Sequence, residues 1–263
     1  MSIFRRIMLG GGVIDIDTLP DTQKLYYTAT AKVTPKIGSF GSAVIANKWD
    51  NITSEGIIVC SRDITTINNN AFSGVSALTS ITISDSVTSI GTSAFSECSG
   101  KITINSKIVE IDYTLNNYPS SNWLKNSKFT ELIFGNNIEK IGSYTFYNCD
   151  SLTSITIPDS VTLIGEWAFY ECTSLTSISI PNSVTSIGSF AFWDCTSMQY
   201  YDFSTHESVP TLGNTNAFGG TPSTCKIIVP DALYDKWIVA TNWSTYADRI
   251  IKKSDWDASQ IIE

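Results

Sequence analysis

One motif recurs in register through the middle of this chain, and the recurrence limits the fold more than any other feature. Residues 141–163 read IGSYTFYNCDSLTSITIPDSVTL and residues 164–186 read IGEWAFYECTSLTSISIPNSVTS. An upstream copy, INNNAFSGVSALTSITISDSVTS, fills residues 67–89, so the unit is 23 residues long. Shortened or drifting copies begin at Ile90 and Ile187, and half-copies lie at 129–140 and 212–230. One such unit has too little apolar surface to fold alone, so a period of this length implies coils stacked into a solenoid over residues 67–230.

Each position of the unit has a physical reading. Ile155 and Ile157 alternate with Ser154 and Thr156, the period of a strand with one buried and one exposed face. Pro158, Pro181 and Pro230 follow their strands, where a missing N–H ends the ladder. Asp159-Ser160 and Asn182-Ser183 supply the turn, and Val161 and Ile164 return to the core. The glycine after the leading isoleucine (Gly91, Gly142, Gly165 or Gly188) is expected at positive φ, because the first copy replaces it with Asn68. Stacking would set the strands about 4.8 Å apart in a parallel sheet.

The string I-G-x-x-A-F-x-x-C-x-x-L-T-S-I-T-I-P-x-S-V-T-x resembles the bacterial surface-protein (BspA-like) subclass of leucine-rich repeats. The resemblance implies a curved, right-handed leucine-rich-repeat solenoid with a parallel β-sheet on one face and mostly short turns on the other. It also implies adhesion and the recognition of proteins or glycans, with no catalytic residues and no cofactor. The insertion at 105–128 departs from the pattern and breaks the array.

Solenoid ends need caps. Alternating runs at Lys24–Thr30, Ser42–Trp49 and Gly56–Ser61 predict a small β cap over residues 20–66. Residues 231–263 predict a helical cap and tail, with Asp231 as N-cap and Leu233, Trp237 and Trp243 over the last coil. The end of that tail reads as a second helix or a partly ordered end. Residues 1–19 mimic a signal peptide through Arg5, Arg6 and an apolar run. Gly10–Gly12 interrupt that run, it ends at Asp15, and no small-residue cleavage site follows. The segment is therefore expected to be a tail that attaches the chain to a particle or to further copies. A virion component is favoured on that ground over a secreted cell-surface adhesin, although either would be extracellular.

Composition excludes several classes. Charged residues make up only 16% and the formal net charge is −8, which offers no footprint for nucleic acid and predicts repulsion from an anionic membrane. The apolar runs are too short for membrane insertion. With His206 as the single histidine, no triad can be assembled. Cys98, Cys149, Cys172 and Cys195 share one repeat position that Val75 fills in the first copy, so they are read as buried thiols rather than metal ligands.

The positions that the repeat leaves free carry the binding hypothesis. Counting from the leading isoleucine, position four holds Tyr144, Trp167 and Phe190, and position seven holds Tyr147, Tyr170 and Trp193. Position eight adds Glu171 and Asp194. Aromatic rings about 5 Å apart beside carboxylates suit a protein or glycan on a cell surface. The competing reading is that the rings merely cover the turn between coils. On the exposed strand face, Tyr200 and Asp202 are further candidates, and Ile133 and Ile228 are expected to point outward. The chain thus reads as a non-enzymatic recognition or adhesion protein, the alternative being a structural spacer or decoration protein.

Overall fold

The computed structural model describes residues 6–9, 12–36, 38–40, 43–110, 123–124, 126–135 and 138–257. It comprises two compact units, residues 1–108 with 120–135, and residues 109–119 with 136–263.

The first unit begins with an antiparallel hairpin, Arg6–Leu9 against Gly12–Asp15, where a plain tail was expected. The predicted cap forms from Lys24–Ala29, Val44–Trp49 and Glu55–Cys60, and Ile16 packs with Ile57 and Val59 in the core beside it. Its sheet joins the repeats through the first of these strands, since Lys24–Ala29 runs antiparallel to Leu78–Ile83. From there the ladder is parallel, through Ser99–Ile104 to Lys128–Phe134.

The insertion at 105–128 therefore lies between two strands that pair directly. Residues 111–122 and 125 of it lie outside the described residues. Trp123 is buried with its ring edge-on to Phe95 at 6.0 Å. The Trp123 and Asn126 carbonyls accept the Phe95 and Glu97 N–H groups at 3.3 and 3.0 Å. Elsewhere the next coil provides these bonds, so the insertion carries a reduced coil turn.

In the second unit, successive coils start at Ile141, Ile164, Ile187 and Leu212. Ser177–Ser179, Tyr200–Asp202 and Lys226–Val229 form the parallel sheet, and Ile250–Lys252 adds its last strand. The other face is more than turns. Lys140–Ile141, Leu163–Ile164, Ser186–Ile187 and Thr211–Leu212 make a second, two-residue-wide parallel ladder. Between the two, Phe146, Phe169, Phe192 and Phe218 stack at 5.2, 5.1 and 5.5 Å as the spine of the core.

Three expectations are corrected. None of the glycines after the leading isoleucine has positive φ. A Cβ on Gly165 would lie 2.5 Å from Ser143 N and 2.7 Å from Gly142 C, so glycine is there because consecutive backbones touch. Positive φ falls instead at positions four and eight, which hold Asn70 and Gly74 in the first coil and Trp167 and Glu171 in a later one.

The C-terminal cap is also less helical than predicted. A single α-turn, Tyr234–Trp237, and a 3-10 stretch, Trp243–Arg249, bury Trp237 and Trp243 edge-on at 4.5 Å, while Leu233 is half-buried. Asp231 does not cap a helix, and its carboxylate accepts the Ser254 N–H at 3.0 Å. The tail then runs as a strand, with residues 258–263 outside the described ones. Finally, Ile228 is fully buried rather than outward, whereas Ile133, between buried Leu132 and Phe134, is on the outer face as expected. The C-terminal segment turns over this sheet face, placing Trp256 on Tyr200 at 5.1 Å and Lys253 Nζ 3.9 Å from Asp202.

Candidate functional site

Positions four, seven and eight converge along one turn edge of the second unit. Tyr144, Trp167 and Phe190 form a column with centroids 5.8 and 4.3 Å apart and interplanar angles of 9° and 16°. Tyr147 and Tyr170 stack beside it at 4.7 Å and 6°, and Trp193 takes the following slot. The columns touch coil by coil, at 5.8 Å for Tyr144–Tyr147, 4.9 Å for Trp167–Tyr170 and 5.5 Å for Phe190–Trp193. All six rings are half-buried. The next coil supplies Gly219, where a Cβ would sit 2.2 Å from the Trp193 ring, so glycine backbone lies against that ring.

The backbone explains why the edge is built this way. N–H groups at positions four, six and eight donate along the stack to carbonyls at positions three, five and seven of the next coil. Tyr144 donates to Glu166 at 2.9 Å, Phe146 to Ala168 at 2.8 Å and Asn148 to Tyr170 at 2.8 Å; Trp167, Phe169 and Glu171 repeat the pattern. In these coils the two ends of this zigzag, positions four and eight, have φ between 55° and 61°. Asn or Gly takes that conformation readily, whereas an aromatic residue there costs roughly 1–2 kcal/mol. Each stacked pair returns about 0.5–1.5 kcal/mol. The two nearly cancel, so the backbone does not itself select for aromatics, and the first unit manages with Asn70 and Ser93.

Because the rings cover one another's faces, solvent meets their edges, the tyrosine hydroxyls and the position-eight carboxylates. Burial pushes the Tyr170 hydroxyl up to about 12, and the charge of Glu171, a hydrogen bond to it, and the nearby Tyr147 and Asp194 add to the effect. In the first unit the matching Glu97 is paired with Lys128 at 2.6 Å.

Tyr200 and Asp202 do not join this edge. They lie on the sheet face, one against Trp256 and the other accepting Ser204 N–H at 2.8 Å. Asp159, Ser179, Pro181, Asp202 and Thr205 line a shallow cleft of about 200 Å³ there.

All six cysteines are buried thiols outside any disulfide. They are more than fillers: Cys172 and Cys195 Sγ donate to the Phe146 and Phe169 carbonyls of the preceding coil at 3.3 Å, and Cys98 Sγ to Phe72 at 3.1 Å. Val75 stands in the first coil, where no coil precedes to offer a carbonyl. Burial pushes the Cys98, Cys195 and Cys225 thiols up to about 12. His206 is buried against Phe203 and Trp237. Among the described residues no group of three or more His, Cys, Asp or Glu could hold a metal ion, and no helix is long and apolar enough to cross a membrane.

A family profile described as the BspA-type leucine-rich-repeat region matches in six copies over residues 46–118 and 117–235. The chain belongs to the BspA-type leucine-rich-repeat family. A leucine-rich-repeat protein from Bacteroides ovatus is 30% identical with a TM-score of 0.52, covering 72% of this chain and 45% of that one. A leucine-rich cell surface protein from Faecalibacterium prausnitzii is 26% identical with a TM-score of 0.32, covering 75% of this chain and 53% of its own. The chain thus spans about half the length of these two proteins. A search of curated proteins gives no match.

Proposed function

We propose that this BspA-type chain is a non-enzymatic recognition module, displayed on a bacterial or virion surface, that binds a protein through the turn edge of the coils at 141–195. One observation carries the reading. Six half-buried aromatics line that edge, three of them at a backbone position where folding alone favours small or amide residues. A protein partner fits better than a glycan, because sugars stack on free ring faces and these faces cover one another.

The test exploits the first unit, which carries Ser73 and Ser96 at position seven and so shows that the coil accepts serine. Tyr147→Ser, Tyr170→Ser and Trp193→Ser are combined in the full chain. Binding of the fluorescently labelled protein is measured on a panel of bacterial and epithelial cells. Binding should disappear in the variant while its unfolding stays cooperative, and protease treatment of the cells should abolish wild-type binding where glycosidase treatment does not. Undiminished binding by the variant, or binding that survives protease, would overturn the reading.

A further inference from the structure

The negative charge of this protein is concentrated in one stretch. Residues 141–225 contain seven aspartates and glutamates and no lysine or arginine, so a stretch of 85 residues holds nearly all of the net −8. Four of the seven, Asp150, Glu166, Glu171 and Asp194, belong to the coil turns beside the aromatic columns, at positions ten, three and eight of the repeat. Glu171 and Asp194 occupy the same slot on successive coils, spaced by roughly one strand separation of about 4.8 Å. Like charges that close repel.

A second, independent observation comes from the same slot elsewhere in the molecule. Glu97 is neutralised within its own unit by Lys128 at 2.6 Å. No ion pair to Glu171 or Asp194 occurs among the described residues, and the coils at 141–225 contain no basic side chain of their own. The fold does not require acid there, for Asn148 fills the slot in the preceding coil at φ 58°. Glutamate at φ 55° is a poor conformational choice, and its carboxylate is met by the neutral Tyr170 hydroxyl rather than by a cation.

We propose that the turn edge docks an arginine- or lysine-rich polypeptide segment. Its cations sit between the Glu171 and Asp194 carboxylates, and its aliphatic stems lie along the ring edges of Tyr147, Tyr170 and Trp193. The partner's cations convert the internal repulsion into attraction, and they meet carboxylates already gathered by the coil spacing. Arginine suits the site best, because a planar guanidinium can bridge two carboxylates while its stem covers apolar surface. The proposal names the chemistry of the partner in the recognition reading above and rests on it.

The experiment uses the full chain and an oligoarginine peptide, with oligoglutamate as control, by isothermal titration at about 20 mM and about 300 mM salt. Glu171→Gln with Asp194→Asn removes both charges and keeps side-chain size; Asp159→Asn with Glu207→Gln removes the same charge away from the edge. Oligoarginine should bind at low salt and weaken about tenfold or more at high salt. The Glu171/Asp194 variant should lose at least about tenfold in affinity and the Asp159/Glu207 variant less than about twofold. Amide shifts on titration should concentrate at residues 144–148, 167–171 and 190–194. Equal losses in both variants would mean attraction by net charge only, and no binding at low salt would mean no cation site; either overturns the proposal. Failure here together with loss of cell binding in the serine variant would leave the recognition reading intact, with a partner that is not basic.

Discussion

At the residue scale, the glycine after each leading isoleucine and the cysteine at position nine show what a repeat pattern does and does not disclose. Both positions were visible as fixed, but their reasons were not. Sequence alone offers positive φ as the usual cause of a recurring glycine. Contact between consecutive backbones is a property of the stack and has no signature within one copy. The two causes predict different mutants. Gly165→Ala would drive a Cβ to 2.5 Å from Ser143 N, a backbone atom that cannot rotate away. It should cost at least about 2–3 kcal/mol in chemical denaturation. Gly74→Ala, at φ 80° with nothing within 4 Å, should cost only about 1 kcal/mol, and Gly74→Asn still less. Equal costs at Gly165 and Gly74 would contradict the assignment. The cysteines follow the same logic, since a thiol that reaches the previous coil's phenylalanine carbonyl is a link between copies.

At the element scale, the C-terminal cap was legible in its apolar residues and not in its conformation. Trp237 and Trp243 were identifiable as a cover for the last coil, and both are buried. The stretch from Pro230 to Trp243 gives a single α-turn, because its job is to lay two indoles on Phe203 and Phe218. Helical periodicity and that packing call for similar residues. Burial of His206 has no signature in the string THESVP for a related reason: the segment is a polar loop, yet the histidine ring turns inward and fills the cap. Its Nε2 lies 3.3 Å from the Val184 carbonyl, and its Nδ1 and the Trp237 indole N–H are buried without partners. Burial lowers its pKa below the ordinary histidine value, against smaller opposing effects from the Val184 and Phe203 backbone and the Asp202 charge. The unfolded chain therefore takes up a proton before the folded one does. The contribution is fully present above about pH 6.5 and is lost as pH falls, at up to about 1.4 kcal/mol per unit. The unfolding midpoint followed by tryptophan fluorescence should drop between about pH 7 and pH 5, and His206→Gln should flatten that slope. An unchanged slope in the variant would show that protonation of this ring does not loosen the cap.

At the scale of the whole molecule, the aromatic edge was legible as a set of repeat positions because the pattern itself subtracts the folding residues and leaves Tyr144, Trp167 and Phe190 over. What escaped was the distribution of charge. A net charge of −8 over 263 residues looks mild, and the average conceals a stretch with seven acids and no base beside one that is nearly neutral. That segregation has a consequence for folding that is independent of any partner. Neighbouring carboxylates about 4–5 Å apart near water repel by roughly 1 kcal/mol, and salt screens them over a Debye length of about 10 Å at 0.1 M. Sodium chloride should therefore stabilise the protein rather than weaken it. Raising it from about 10 mM to about 300 mM should lift the unfolding midpoint by a few degrees, since 1 kcal/mol moves a domain of this size by about 2–4 °C. Glu171→Gln with Asp194→Asn should raise the midpoint at low salt, because it removes two like charges that share one slot on successive coils and gives position eight the residue best suited to positive φ in at least one coil. The same variant should respond less to salt than the parent. A midpoint that falls with sodium chloride, or a variant as salt-sensitive as the wild type, would show that these carboxylates are too well hydrated to strain the stack, and the case for an external cation would lose its energetic basis.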